Sequence, residues 1–376
     1  MKVCVSVHGR FHAFELAAGL HRRGVLSRLL TTYPGFAVAR LSGNWLPVTS
    51  AWWLEARRRL LPGKAVQVAL PIRYALFAAQ NLPSGADLLV GWSSATLEAI
   101  PAAKRHGMKV VIERGSTHIQ HQTDVLTRAY DACHLDFNET HPITIERELA
   151  EYETADAIAV PTRFAADTFV ARGIPPEKLL VAPYGVDLER FRPATHRPAD
   201  QPVRILFVGR VGIRKGLPGL LRAFQPISNI AELHLIGPVE PEMHELMKRL
   251  PMAGVTVHGA LKADRLPEFY AAADIFCLPS LEEGFPLVLL QAMASGLPVV
   301  TTPEAGAADI MTDGREGAIV PSGGVGALTD ALAALVTGAE RRHAMGRAAR
   351  ALVEAGGWSW DDYAGRALAN YRKLLG

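Results

Sequence analysis

Apolar runs alternate along the chain with amphipathic stretches of about 10 to 15 residues, a pattern that predicts strands and helices in turn. In the first half the strand-like runs are Lys2 to Val7, Leu26 to Tyr33, Asp87 to Trp92, Lys109 to Arg114, Ala157 to Thr162 and Leu179 to Val186. In the second half they are Val203 to Gly209, Glu232 to Gly237, Val255 to Gly259, Ile275 to Ser280, Pro298 to Thr302 and Ala318 to Pro321. Runs that are apolar throughout belong to strands buried on both faces, the mark of parallel sheets flanked by helices. Two such sheets account for the pattern, an α/β architecture. Between them Phe191 to Pro202 (FRPATHRPADQP) is proline-rich and has no periodicity, so it reads as a linker with a cleft beside it. The predicted organisation is a first domain over 1–192, a second over 202–357 and a tail over 358–376. In the tail Ser359 is placed to cap a final helix carrying Tyr363, Leu368, Tyr371 and Leu374, expected to cross back onto the first domain.

Length and composition agree with this picture: 376 residues exceed one ordinary core, and 49% hydrophobic with 20% charged residues excludes disordered and fibrous classes. The longest uncharged run, Gly284 to Pro303, contains Pro286, Gln291, Gly296 and Pro298, so it reads as a helix plus a strand and not as a membrane span. MKVCVSV enters a strand at once, without a basic leader, so a cytoplasmic location is expected. Cys4, Cys133 and Cys277 have no close spacing and read as reduced thiols, neither a disulfide nor a zinc framework. Charge changes the picture more. Residues 1–110 hold fourteen Lys and Arg against four Asp and Glu, a net of +10, whereas the whole chain carries +3. The first domain should therefore attract anionic surfaces or phosphorylated ligands.

Two segments carry chemistry. In ILFVGRVGIRKG, Ile205 to Gly216, a strand runs into Gly209, Gly212 and Gly216 with Arg210 and Lys215 across the turn. Such a turn can cradle phosphate on backbone amides and two cations, and an ordinary βα turn with exposed basic residues fits it equally well. The GxxGxxxG spacing does not match a dinucleotide fingerprint. In LPSLEEGFPLVLLQAMASGLPVV, Leu278 to Val300, a strand gives way to Glu282 and Glu283 at the mouth of a helix running to Ser295. Gln291 lies eight residues after Glu283, so both can face one side of a cleft, and the amides of Phe285, Leu287 and Val288 are free at that helix end.

These segments resemble the family-4 retaining glycosyltransferases of the GT-B fold, two Rossmann-like domains facing a cleft. EEGFPLVLLQAMASGLPVV matches their EGF(G/P)LxxLEAMAxGxPVV signature, and the VGRxxxxKG turn and Tyr184-Gly185-Val186-Asp187 through Phe191 follow the same pattern. The resemblance covers the second half closely and the first half in outline. It implies that Arg210 and Lys215 hold the donor diphosphate, that Glu283 contacts the donor sugar, and that Phe285, Leu287 and Val288 offer backbone to sugar or phosphate. It also implies that Leu261 lies at the base and that position 291, Gln291 where the family has glutamate, meets the ribose. In the first domain Gly9 stands where the family keeps a glycine near the phosphates, and His118 where many relatives keep a catalytic histidine near the donor sugar.

No Asp-x-Asp triplet occurs, so no metal is expected and the two cations are expected to stabilise the departing diphosphate. The nucleotide sugar is a substrate, and no cofactor is expected. The function implied is hexose transfer from a nucleoside-diphosphate sugar to a cell-envelope glycolipid or polysaccharide, with front-face displacement favoured. The alternative is a non-catalytic sugar-nucleotide-binding or scaffolding protein, supported by Gln291. Acceptor or membrane contact is assigned to Arg10, His12, Trp52, Trp53, Arg57, Arg58 and Arg59, beside Trp45 in the basic domain. The expected location is peripheral, on an anionic surface at the inner face of the cell membrane, with no nucleic-acid partner.

Overall fold

The computed structural model describes residues 1–60, 64–137, 140–194 and 201–376, and side chains outside 58–67. The first domain contains β1 (Val3–Val7), β2 (Leu26–Thr31), β3 (Val48–Ser50), β4 (Leu88–Trp92), β5 (Lys109–Glu113), β6 (Ala157–Val160) and β7 (Leu179–Val181). They form one parallel sheet in the order β3-β2-β1-β4-β5-β6-β7. The second domain contains β8 (Val203–Val208), β9 (Ala231–Ile236), β10 (Val255–Gly259), β11 (Ile275–Leu278), β12 (Val299–Thr301) and β13 (Gly317–Ile319), parallel in the order β10-β9-β8-β11-β12-β13. Central strands such as VCVSV of β1 and IFCL of β11 are buried at every residue, which is why they read as unbroken apolar runs. All twelve predicted strands are present. The additional β3 is a half-buried three-residue edge strand paired with β2, too short to leave a periodic signal in NWLPVTSAWW.

In both sheets the strand order reverses beside the first strand, between β1 and β4 and between β8 and β11. Loops leaving the carboxyl ends of these neighbouring strands diverge and open a crevice, the place where parallel α/β sheets bind ligands. The two crevices face each other. Gly284 after β11 packs on the Gly115 carbonyl after β5, and a β-carbon on Gly284 would collide with that oxygen. Among the described residues no helix is long and apolar enough to cross a membrane.

The last helix, Trp360–Leu375, returns to the first domain. Ser359 accepts the Asp362 amide and Asp362 accepts the Ser359 amide, a reciprocal cap that starts the helix where the sequence places it. Tyr363, Ala364, Leu368 and Tyr371 are buried. Gly19 of the helix Ala13–Arg22 lies against Ala364, and Arg22 and Arg23 pair with Asp361 at 2.9 and 2.7 Å. Residues 195–200 of the expected linker lie outside the described ones.

Candidate active site

A cavity of about 660 Å³ opens between the domains at the carboxyl end of β8. The second domain contributes Arg210, Lys215, Phe285, Leu287 and Val288 to its wall, and the first contributes Gln122 and Tyr130. Of the residues read from sequence, these five of the second domain are brought together here. Leu289 makes the first backbone bond of the helix Leu287–Ala294, to the Pro286 carbonyl at 2.9 Å. The amides of Leu287 and Val288 therefore precede the intrahelical ladder at the helix's positive end.

Each of these two cations is engaged by a carboxylate. Arg210, mostly exposed, pairs through Nε with Glu240. Lys215, largely buried, pairs with Glu283 Oε1. Burial lowers the Lys215 ammonium, Arg214 and Arg210 add repulsion, and Glu282 opposes them. Contact with Glu283 favours the charged form, as a diphosphate would. Glu283 is only 7% exposed, so its ionised carboxylate depends on that cation.

Gln291 lies deeper along its helix and Leu261 packs beyond β10; neither lines the cavity. The Gln291 carbonyl oxygen accepts the Tyr270 hydroxyl at 3.2 Å, so the side chain is oriented from within the second domain. Gly9 lies in the turn after β1, where its carbonyl accepts the Thr31 hydroxyl at 2.8 Å. Arg10 pairs with Glu15 at 3.1 Å.

His118 differs from the sequence-based expectation: it does not face the cleft. It caps the helix Ile119–Asp131, its Nδ1 accepting the Gln120 amide at 3.2 Å, and its ring packs against Tyr152 and Phe169 at 5.2 and 5.0 Å. Burial, with Arg172, Arg114 and His121, pushes its pKa down to about 4, so at neutral pH the ring is uncharged and its lone pair is free to cap. The helix begins immediately after His118, and that turns the side chain from the strand end into the helix cap.

Sequence reasoning passed over Glu282, which joins the domains. Its Oε1 accepts the hydroxyls of Ser116 and Thr117 at 2.7 and 2.6 Å, and its Oε2 meets Arg214 at 2.8 Å. Burial pushes the Glu282 carboxyl up, but Arg214, the Thr117 and Ser116 hydroxyls and Arg114 outweigh it and hold the group below the usual carboxylate range. Adjacent glutamates at a strand end were the visible signal; that one turns to the other domain is a fact of the domain interface.

Three tryptophans and a phenylalanine of the basic domain lie outside. Trp45, Trp52 and Trp53 are 78%, 58% and 47% exposed, Phe36 is 73% exposed, and Arg57 is exposed beside them. The side chains of Arg58 and Arg59 lie outside the described ones.

Two parallel α/β domains facing each other across a cleft at both strand-order reversals define the GT-B architecture. Residues 10–190 match the family described as Glycosyltransferase Family 4, and residues 202–338 that described as Glycosyl transferases group 1. The chain belongs to these glycosyltransferases. Among its relatives, a D-inositol 3-phosphate glycosyltransferase of Kribbella flavida is 35% identical over 58% of this chain and 57% of its own length. A GDP-mannose-dependent phosphatidylinositol monomannoside mannosyltransferase of Mycobacterium tuberculosis is 30% identical over 56% of this chain and 60% of its own. The matches thus span somewhat over half the length of these curated relatives. Sucrose-phosphate synthase from Thermosynechococcus elongatus superposes with a TM-score of 0.76 at 19% identity, covering 100% of this chain and 99% of that one, a likeness of fold.

Proposed function

We propose that the protein is a retaining glycosyltransferase that moves a hexose from a nucleoside-diphosphate sugar to a glycolipid or polysaccharide acceptor of the cell envelope. The observation that carries this reading is the interdomain cavity, where Arg210 and Lys215 stand beside the open amides of Leu287 and Val288. Anion-seeking donors of both kinds, aimed at one space, suit a diphosphate. On binding, the diphosphate replaces Glu240 and Glu283 as partner of the two cations. Glu283 is then free to meet the sugar, and the cations stabilise the charge of the leaving diphosphate without a metal. The acceptor hydroxyl attacks the anomeric carbon from the face the diphosphate leaves, and a donor phosphate oxygen takes its proton.

Thermal-shift screening with UDP-, GDP- and ADP-sugars tests donor binding, since a ligand bound only to the folded state raises its stability. Acceptor-dependent release of nucleoside diphosphate, undiminished in EDTA, is the expected activity. Loss of activity in EDTA, restored by magnesium or manganese, would refute metal independence.

Position 291 is assigned to the donor ribose. Tyr270 occupies the Gln291 side-chain oxygen, which leaves the amide chiefly its N–H donors. In Gln291→Glu one oxygen can keep Tyr270 while the other accepts a ribose hydroxyl with charge assistance. Nucleoside diphosphate affinity is expected to rise about fivefold, or about 1 kcal/mol, the usual margin of a charged over a neutral acceptor. Titration calorimetry measures it, and a large loss would mean that the amide's donors are required.

Membrane docking of the first domain is part of the same reading. The exposed tryptophans and Phe36, together with Arg57 and the net charge of +10 over residues 1–110, suit a headgroup region, where a basic residue contributes about 1 kcal/mol. Sedimentation with anionic vesicles at low salt is expected to remove the protein from solution. Trp52→Ser/Trp53→Ser should abolish this, and equal partitioning onto zwitterionic vesicles would point to a soluble acceptor.

A further inference from the structure

A smaller hollow of about 370 Å³ lies at the carboxyl ends of β1, β4 and β5, with His12, Trp92, Ser94, Arg114 and Tyr184 in its wall. Arg114 is fully engaged: Nε donates to the Thr117 carbonyl, Nη1 meets Glu148 at 3.1 Å and Nη2 donates to Gln122. What the wall presents is therefore aromatic and hydroxyl-bearing, the complement of a sugar ring more than of a phosphate.

Beneath this wall lies Glu113, the last residue of β5, 2% exposed. Its Oε2 stands 3.4 Å from His12 Nε2. Its Oε1 receives the hydroxyls of Tyr363 and Tyr371 at 3.3 and 3.4 Å, and both tyrosines belong to the last helix. A carboxylate can only accept, so Nε2 must carry a proton and donate it. In a neutral imidazole this leaves Nδ1 as a bare acceptor. The ring is held against Tyr184, centroids 4.1 Å apart, and the 4% exposed Tyr184 has no partner for its hydroxyl among the described residues. A bare imidazole nitrogen in a wall of aromatic and hydroxyl-bearing side chains is an acceptor suited to a hydroxyl group, which donates to it.

We propose that Glu113 is a positioning residue that locks His12 in the Nε2–H form, so that Nδ1 accepts a hydrogen bond from a hydroxyl of the saccharide acceptor, and that Tyr363 and Tyr371 make the last helix part of this acceptor site. The inference rests on the glycosyltransferase reading above and adds to it the acceptor group recognised and the route by which it is held. The chain's last helix crosses to the first domain over Glu113, which gives that crossing a role beyond packing.

The test needs neither donor nor turnover, so its failure is distinct from failure of the donor screen. Two-bond ¹H–¹⁵N spectra of the full chain labelled with [¹⁵N]histidine, with His12 assigned through His12→Gln, report the tautomer directly. The expected result at pH 7.5 is a protonated Nε2 and a bare Nδ1 whose resonance moves on titration with octyl β-D-glucopyranoside or octyl α-D-mannopyranoside below micelle formation. In Glu113→Gln the single tautomer should be lost and glycoside affinity should fall about tenfold. Should that variant not fold, Tyr371→Phe, which removes one oxygen, is expected to lower the affinity two- to threefold. An Nδ1–H or charged His12, an Nδ1 resonance unmoved by both glycosides, or unchanged affinity in the folded variants would overturn the proposal.

Discussion

Replacing Glu283 by glutamine is expected to lower kcat by about 10² to 10³, the range for removing one group that meets charge developing in the transition state. Nucleoside diphosphate affinity should stay level or rise. The reason is that Glu283 is buried against Lys215. A diphosphate must separate that pair, and an amide competes for the ammonium less strongly than a carboxylate does. A loss of turnover with undiminished diphosphate binding would place Glu283 on the sugar. Acceptor-dependent kinetics and calorimetry with the nucleoside diphosphate give the two numbers, and near-normal transfer by the variant would remove Glu283 from the site.

Glu282→Ala is expected to act on the whole molecule. It strips Ser116, Thr117 and Arg214 of their shared acceptor across the domain interface. Removing one partner of a buried pair costs about 3 to 5 kcal/mol, and because the Arg214 side chain is 36% exposed we expect about 2 to 3 kcal/mol. The pH dependence follows from the direction of the shift. The folded Glu282 carboxyl titrates below its unfolded value of about 4.3, so its contribution is complete above that pH and is lost as the pH falls through the lower, folded value. Thermal midpoints of wild type and Glu282→Ala should differ most near pH 7 and converge in acid. A constant gap from pH 7 down to pH 3 would show that Glu282 is not ionised in the clasp.

Much of the architecture is legible in the amino-acid order. Strands such as β1, β8 and β11 are buried on both faces, so their apolar runs stand out against the amphipathic helices that cover them. The glycine-rich turn after β8 and the glutamate pair after β11 are local devices as well, each built within about ten residues. For that reason Arg210, Lys215, Phe285, Leu287 and Val288 could be assembled from spacing and resemblance, and the structure brings them to one cavity. The Ser359 cap is equally local, because Ser359 and Asp362, which make the reciprocal bond, are the ends of a four-residue stretch.

Tertiary structure decided the rest. Whether a polar side chain after a strand faces the cleft or turns inward depends on the neighbour it meets, and that neighbour is distant in sequence. His118 followed its own helix terminus and the pocket between Tyr152 and Phe169, although its position after β5 resembles the one where many relatives keep a histidine. Glu282 took its partners from the other domain, and Glu113 took two of its partners from a helix some 250 residues away. Trp45, Trp52 and Trp53 could have filled a core by composition alone, and only the packing of the first domain left them in solvent. The sequence by itself therefore determined the two sheets, the capped last helix and the glycine-rich turn after β8, because each is written in short-range pattern. Which acid pairs with Lys215, which joins the domains and which meets an imidazole was settled by burial, since a carboxylate taken out of water must find donors wherever the fold supplies them.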